Sequence, residues 1–472
     1  MIGQVNLDNV QGNILRGYTL GKVRYLVLEV VDRDLARQFL AVSAAGGSPD
    51  VPAIMPATPW AKTLPKPEMC FNIGLTYEGL RALKTPPEHL ATFPTEFIEG
   101  MTKRAVKLGD YGASAPVNWP APFDKPAQVH VIASIYARDP IMLDDVQGQV
   151  ARAFNVLGVR DGRNLDNSKV FFGYRDSLSQ PKFEGIGDPD RVTDDGPLDP
   201  LGTVLLGPNY ATRFENIKFR VPTPDDLGCD GSFNAFRVLK QDVAAFETYL
   251  DHAAEEVSGH RHVHHLLAPG DEVNIGKDLT YKQALREIVA AQMCGRWRNG
   301  RSVETSPDAQ LPDPDPSEQL TNFQYHSDSR CPAGSHLRRV NPRGGQIVQR
   351  VANYTRRLVR RGMSYGPDFP PLHPDDAERG LLGNFIGASI GGQFEAVMCD
   401  WLNLGLQDPD VTGSNDPLIG ANAPETSWFD LSLKNGLTIR LRGFPRFVTT
   451  RGGAYTFLPS LTAIRYLSGL KE

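Results

Sequence analysis

Stretches of alternating apolar and polar positions recur along the chain, separated by segments whose apolar residues fall at helical spacing. Lys22–Val31 (KVRYLVLEVV) is rich in β-branched and aromatic residues and predicts a strand, with helical spacing after it over Arg33–Val42. Met69–Leu75 (MCFNIGL) predicts a second strand, leading into a helix start at Thr76-Tyr77-Glu78-Gly79. Gln128–Tyr136 (QVHVIASIY) predicts a third, Asp144–Leu157 a helix, and Gly158–Val170 a turn-rich connection. The same grammar returns in the second half. Ser232–Leu239 reads as a strand, Asp242–His252 as a helix and Thr280–Met293 as an amphipathic helix. Asn384–Trp401 reads as an apolar strand running into a helix, and Arg446–Phe457 as a hairpin around Gly452-Gly453. Two rounds of strand and helix in this order suit antiparallel sheets with helices packed on them, an α+β class. Pro, Asp and Gly cluster over Phe219–Gly231, which places a boundary between a unit 1–225 and a unit 226–472. Gly185–Leu201, Thr305–Asn322 and Tyr365–Glu378 read as long loops.

Composition narrows the function classes. The 472 residues carry 50 Lys+Arg against 55 Asp+Glu, a net charge of −5, which gives no general reason to expect nucleic acid or a membrane surface as partner. No stretch approaches the roughly 18–20 apolar residues of a membrane span. Met1–Asp8 has neither the basic nor the apolar region of a secretory leader, so a cytoplasmic location is expected. The five cysteines are scattered and none forms a CxxC pair, so reduced thiols are expected.

Four features could carry chemistry. His260, His262, His264 and His265 lie in one short stretch, where alternate histidines on a strand would share a face and could hold a metal. Flanking Gly259, Pro269 and Gly270 favour a solvated loop instead. Arg338–Arg361 holds eight arginines interleaved with Val, Ile, Tyr and Leu. Such arginines are partly buried and need anions, either protein carboxylates or an acidic ligand. Phe171–Gly187 (FFGYRDSLSQPKFEGIG) sets Asp176 either as a turn cap or as a catalytic carboxylate on a loop. His336, in Cys331-Pro332-Ala333-Gly334-Ser335-His336-Leu337-Arg338-Arg339-Val340-Asn341-Pro342-Arg343, is either an ordinary polar histidine or a ligand.

Taken in order, these segments resemble the dye-decolorising (DyP-type) haem peroxidases, in their larger bacterial and fungal form. Gln11-Gly12-Asn13-Ile14-Leu15-Arg16-Gly17-Tyr18 is similar to an N-terminal QGNIL(K/R)G signature. Gly173-Tyr174-Arg175-Asp176-Ser177, followed by Gln180-Pro181, resembles the GxxDG motif. Gly231–Val243, Met293–Trp297, Cys331–Arg343, Val359–Gly366, Asp416–Gly420 and Phe447–Gly453 match further family segments, so the resemblance spans nearly the whole chain.

The resemblance implies two ferredoxin-like units and one haem b per chain, held mainly by the second unit. It implies a peroxidase that reduces hydrogen peroxide and oxidises organic donors, dyes and phenolics, in single-electron steps through an oxoferryl porphyrin radical. By the same resemblance His336 would be the proximal iron ligand. The second ring N–H of that histidine needs an acceptor, for which Glu395 is the candidate and Asp400 the alternative. Asp176 would be the distal acid–base group and Arg360 the fixed positive charge beside it. Arg343 would pair with a haem propionate. Bulky donors would be oxidised at surface Tyr or Trp, and a homo-oligomer is allowed. Two departures stand out. Ser177 occupies the place of a glycine, which predicts strain if φ is positive there. Leu381-Leu382-Gly383-Asn384-Phe385 carries Gly and Asn where an apolar wall is expected, which predicts a roomier or wetter pocket. A haem-handling protein with little turnover is the competing reading, and a non-haem two-unit scaffold a third.

Overall fold

A computed structural model describes residues 5–60, 65–186, 198–213, 218–314, 320–325, 330–343 and 353–470. Most of the Gly185–Leu201 loop, part of Thr305–Asn322 and the stretch of the arginine run with Arg350 lie outside the described residues.

The first unit contributes strands β1 (Lys22–Glu29), β2 (Met69–Leu75), β3 (Val131–Ala137) and β4 (Asn155–Arg163), in the antiparallel order β2-β3-β1-β4. The second contributes β5 (Ser232–Gln241), β6 (Val359–Arg360), β7 (Met363–Tyr365), β8 (Gly380–Gly387) and β11 (Val448–Leu458). There β11 pairs with β5, β5 with β8, and β8 with both β7 and β6, which follow one another along it. Both units are therefore ferredoxin-like, and their sheets join into one closed antiparallel barrel. The two seams are narrow. Phe457 pairs with Leu75 at one and Arg163 with Ser364 at the other. A separate hairpin, β9 (Trp428–Ser432) with β10 (Thr438–Arg442), packs beside the second unit.

Local sequence explains how the seam between β2 and β11 is held. The Gln11 amide donates to Ile73 O and Pro459 O at 2.9 Å each and accepts from Ile73 N–H at 3.0 Å. One buried side chain thus supplies hydrogen bonds that a fuller strand pairing would have made. Gly12 must follow, because a Cβ there would sit 2.3 Å from Tyr18 Oη and 2.6 Å from Pro56 O. One apolar core runs through both units, with Tyr25 of β1 4.8 Å from Phe236 of β5 between ring centroids. A second core packs the helix Val243–Ser258 on the helix Tyr281–Cys294, which opens with a Thr280–Gln283 capping box.

Three elements differ from the sequence pattern. Arg446–Phe457 is not a hairpin. It is the long strand β11, with its register shifted between Thr450 and Gly452. The glycines are required by close packing, since a Cβ on Gly452 would meet the Phe123 ring at 2.2 Å and one on Gly453 the Met101 sulfur at 2.6 Å. Gly158–Val170 is not all turn, because β4 occupies Asn155–Arg163. Its Arg160, Asp161 and Arg163 mask the strand pattern, and Asp161 pairs across to Arg24 of β1 at 2.7 Å. The helix ahead of it, Pro140–Val150, starts earlier and ends sooner than its apolar spacing suggests, with Asp139 as its cap. All five cysteines are free thiols. Among the described residues no helix is long and apolar enough to cross a membrane.

Candidate active site

Side chains of the second unit's sheet divide between core and cavity. On β5, Phe236 and Val238 enter the core, while Arg237, Leu239 and Gln241 line a cavity of about 350 Å³. The remaining walls come from β8, β11, the helix His336–Val340, the wide π-type segments Ile390–Glu395 and Val397–Asn403, and the loop between β4 and β5. Asp176, His336 and Arg360, distant in sequence, all line this one cavity.

His336 begins its helix directly after Ser335, and its Nδ1–H donates to Asp416 Oδ2 at 2.9 Å. Asp416 is fully buried, and its other oxygen accepts from the N–H groups of Leu418 and Ile419, both at 2.9 Å. Burial alone would raise the Asp416 carboxyl, but His336, Arg339 and the Ile419 N–H outweigh it and hold it below the usual aspartate value. This fixes the tautomer, with Nδ1 protonated and Nε2 carrying the lone pair. Among the described residues Nε2 has no hydrogen-bond partner. The neighbouring Arg339 donates to Gly334 O, Trp401 O and Ser414 O, tying the helix to the two segments behind it.

The loop carrying Asp176 is held from outside its own carboxylate. Tyr174 is buried against the helix pair and donates from its hydroxyl to Ala290 O at 2.7 Å. Arg298 lies over the Tyr174 ring at 5.3 Å, donates to Phe172 O, accepts the Arg175 N–H on its own carbonyl at 3.0 Å, and pairs with Glu287 at 2.9 Å. The Asp176 N–H donates to Ser168 O at 2.8 Å. Its carboxylate, partly exposed to the cavity, has no hydrogen bond or ion pair among the described residues. Ser177 does adopt positive φ, +59°, so the strain expected of a serine in that place is present. Arg360 stands on β6, and its guanidinium donates to Ser179 O. Leu381, Gly383, Asn384 and Phe385 all line the cavity, so a buried amide does stand in its wall.

Glu395 does not serve His336. Its buried carboxylate is gripped by Arg104 through Nε and Nη2 at 2.9 and 2.7 Å, by Lys107 at 3.3 Å and by the Tyr455 hydroxyl at 3.0 Å. Burial raises its pKa, and these donors more than reverse that and leave it lowered. Asp400, the alternative, pairs with Arg356 at 2.9 Å. The acceptor is Asp416, 80 positions along the chain from His336. That residue lay in a family-like segment, but nothing in its spacing pointed to a histidine so far away.

The arginine run finds anions less often than its burial suggests. Arg356 and Arg357 pair with Asp400 and Asp199, while Arg339 and Arg361 donate to backbone carbonyls. Arg343 is different. It is buried, with φ +52°, and donates from Nη1 alone, to Thr321 O and Phe323 O, while Nε and Nη2 have no partner among the described residues. Arg296 of the cavity wall likewise leaves Nη2 unpaired, and the two guanidiniums share the Phe323 ring at 4.0 and 5.8 Å. Burial and the adjacent Arg343 pull Arg296 down to about 10. Unpaired buried guanidinium groups fit an acidic ligand, and the free Nε2 of His336 fits an iron. The His260–His265 stretch forms a turn with its rings packed together, and no group of residues suited to a metal ion occurs among the described residues.

No family model matches the chain. Individual proteins do. Peroxidase 2 of Mycetinis scorodonius is 26% identical over 502 aligned positions, covering 98% of this chain and 87% of that protein. The multifunctional dye peroxidase DyP2 of Amycolatopsis sp. is 27% identical, covering 98% and 96%. The chain is a relative of the dye-decolorizing peroxidases. The fold agrees. A dye-decolorizing peroxidase solved in complex with 2,6-dimethoxyphenol superposes with a TM-score of 0.79 at 24% identity, over 98% of this chain and 100% of that one. A dye-decolorizing peroxidase whose heme pocket was engineered for asymmetric sulfoxidation gives 0.78 at 23%. The expected resemblance and the expected class of enzyme, a haem peroxidase, agree with these relatives, and the α+β ferredoxin-like fold agrees with the solved structures.

Proposed function

We propose that this dye-decolorizing-peroxidase relative binds one haem b per chain in the cavity, reduces hydrogen peroxide there, and oxidises dyes and phenolic donors one electron at a time. The observation that carries the reading is the His336–Asp416 pair, whose histidine, with Nε2 unpaired, lines the same cavity as Asp176 and Arg360. His336 would hold the iron through Nε2, with Asp416 fixing the ring and making the imidazole a stronger donor. Arg343, joined by Arg296, would take the haem carboxylates on their unpaired nitrogens. The haem supplies the centre at which the peroxide O–O bond is broken and the oxidising equivalents that donors remove.

Asp176 would take the proton from one peroxide oxygen and deliver it to the departing one. A carboxylate free of other partners suits that work, since nothing competes for its oxygens. Arg360 would hold a fixed positive charge where negative charge develops, at no reorganisation cost. In this reading the unit 1–225 brings the Asp176 loop and the unit 226–472 the haem-holding residues. Support for dyes and phenols as donors comes from the relatives' names and the phenol complex of a structural neighbour.

The test is steady-state oxidation of 2,6-dimethoxyphenol by haemin-loaded protein with peroxide, beside the His336→Ala variant. Turnover in the parent with neither turnover nor a stable Soret band in the variant is expected. A Soret band without turnover in the parent would favour the haem-handling reading.

A further inference from the structure

We propose that Gln180 is a positioning residue that sets Arg360 relative to Asp176, an inference that rests on the distal roles proposed above. Its carboxamide faces the peptide groups of one residue. Oε1 accepts the Arg360 N–H at 3.0 Å, and Nε2 donates to Arg360 O at 3.0 Å. This is the exchange of two hydrogen bonds that a neighbouring strand would make.

The topology explains why a side chain does it. β6 and β7 run along β8 on one side, where Val359 and Arg360 pair with Ile386 and Phe385. On the other side β4 meets this edge only at Arg163–Ser364, where its strand ends. Beyond that point the edge would be open at Arg360. The β4–β5 loop turns back and lays Gln180 there. The adjacent Ser179 carbonyl accepts from the Arg360 guanidinium, so backbone and side chain of Arg360 are both referred to the same two loop residues.

Those two residues lie three and four positions after Asp176. Asp176 has no side-chain tether of its own, and no ion pair joins it to Arg360 among the described residues. The distance between the two is therefore governed by the short stretch 176–180 and the Gln180 clamp. Misplacement of a reacting group by about 1 Å can cost on the order of a hundredfold in rate. The amide of Gln180 touches neither iron ligand nor haem-holding arginine, so its loss leaves haem binding alone.

The experiment compares Gln180→Leu, Gln180→Asn, Gln180→Glu and Arg360→Leu as haem-loaded proteins. For Gln180→Leu the expected result is a fall of about tenfold or more in kcat/KM for peroxide, with unchanged haem stoichiometry and donor KM. Amide hydrogen exchange over residues 357–362 becomes faster, independently of turnover. Gln180→Asn, whose amide is too short to reach, behaves alike and serves if the leucine variant does not fold. Gln180→Glu is the sharper probe. A protonated carboxyl can accept and donate as the amide does, and a carboxylate cannot donate. Charged groups nearest it along the two segments it joins are Arg175, Asp176 and Lys182 on the loop, Arg360 on the strand and Arg361 just after it, so rates are taken relative to the parent at each pH. The ratio rises as pH falls. A Gln180→Leu protein within twofold of the parent while Arg360→Leu is crippled would overturn the clamp and leave the distal reading standing. An Arg360→Leu protein at parental rate would overturn the distal reading itself.

Discussion

The two sides of the cavity are built on opposite plans. On the His336 side the carboxylate and the arginine that hold the histidine's helix are paired with protein groups. Asp416 has its histidine and two backbone N–H groups, and Arg339 spends its guanidinium on three carbonyls. On the Asp176 side the carboxylate stands unpaired, Arg360 is exposed, and the intervening Ser177 is strained. The difference follows from the work proposed for each. A ligand must hold one geometry and one tautomer, so pairing helps it. A proton carrier must give up and regain its proton, so a permanent partner would hinder it, and its position has to be fixed through the backbone.

The largest expected effect breaks the unpaired side. Asp176→Asn lowers peroxide-dependent turnover by about 10²–10⁴-fold while the haem spectrum is kept, read by stopped-flow beside an absorbance scan. Parental turnover would remove Asp176 from the proton path. Next comes the paired side. Asp416→Asn keeps an oxygen for Leu418 and Ile419 but loses the charge, and haem retention falls about 10–100-fold, read by transfer of haem to apomyoglobin.

The acid limb sharpens the same contrast. The Asp416 carboxyl lies below its ordinary value of 3.8 in the folded chain. Its contribution to stability is therefore complete above the unfolded-chain value and is lost as pH falls through the lower folded value. Acid titration of the Asp416→Asn protein should lack that part of the loss, and an unchanged acid midpoint would show that the pair adds nothing.

Glu395→Gln tests whether that residue is purely structural. It breaks the grip of Arg104 and Lys107 and costs about 2 kcal/mol in chemical denaturation, with no change in the Soret band. A shifted band would return Glu395 to the iron's surroundings. Smallest is Ser177→Gly, which relieves the left-handed backbone and raises stability by about 0.5–1 kcal/mol, with turnover kept. A loss of turnover in that variant would mean that the strain itself aims Asp176.

Much of this was legible in the sequence, and the rest was hidden for physical reasons. Met69–Leu75 and Ser232–Leu239 show as strands because short segments rich in aromatic and aliphatic residues are buried on both faces, the few polar side chains among them included. The helix Tyr281–Cys294 announces itself through its cap and its spacing. β4 is obscured because charged residues interrupt its apolar run, and the partner of Asp161, Arg24 across the sheet, is one a linear pattern cannot reveal. β11 is misread because its glycines answer to Phe123 and Met101, residues more than three hundred positions away. In the site, His336, Asp176, Arg360 and Arg343 come from local segments, and the structure sets three of them around one cavity and leaves the fourth with unpaired nitrogens. The histidine's carboxylate partner is a tertiary fact. Any of Glu395, Asp400 or Asp416 would serve chemically, and only the packing selects the last, because Arg104 and Arg356 claim the other two.

The central claim is that His336 and Asp176 face one reacting centre from two sides. The most direct measurement is rapid mixing of haemin-loaded protein with one equivalent of peroxide, followed at the Soret band, with 2,6-dimethoxyphenol added afterwards. The account predicts a fast shift and bleaching in the parent that reverses with the phenol, the same resting band but no fast shift in Asp176→Asn, and no stable band in His336→Ala. A parent Soret band that peroxide leaves unchanged, or a His336→Ala protein that keeps the parental band, would contradict it.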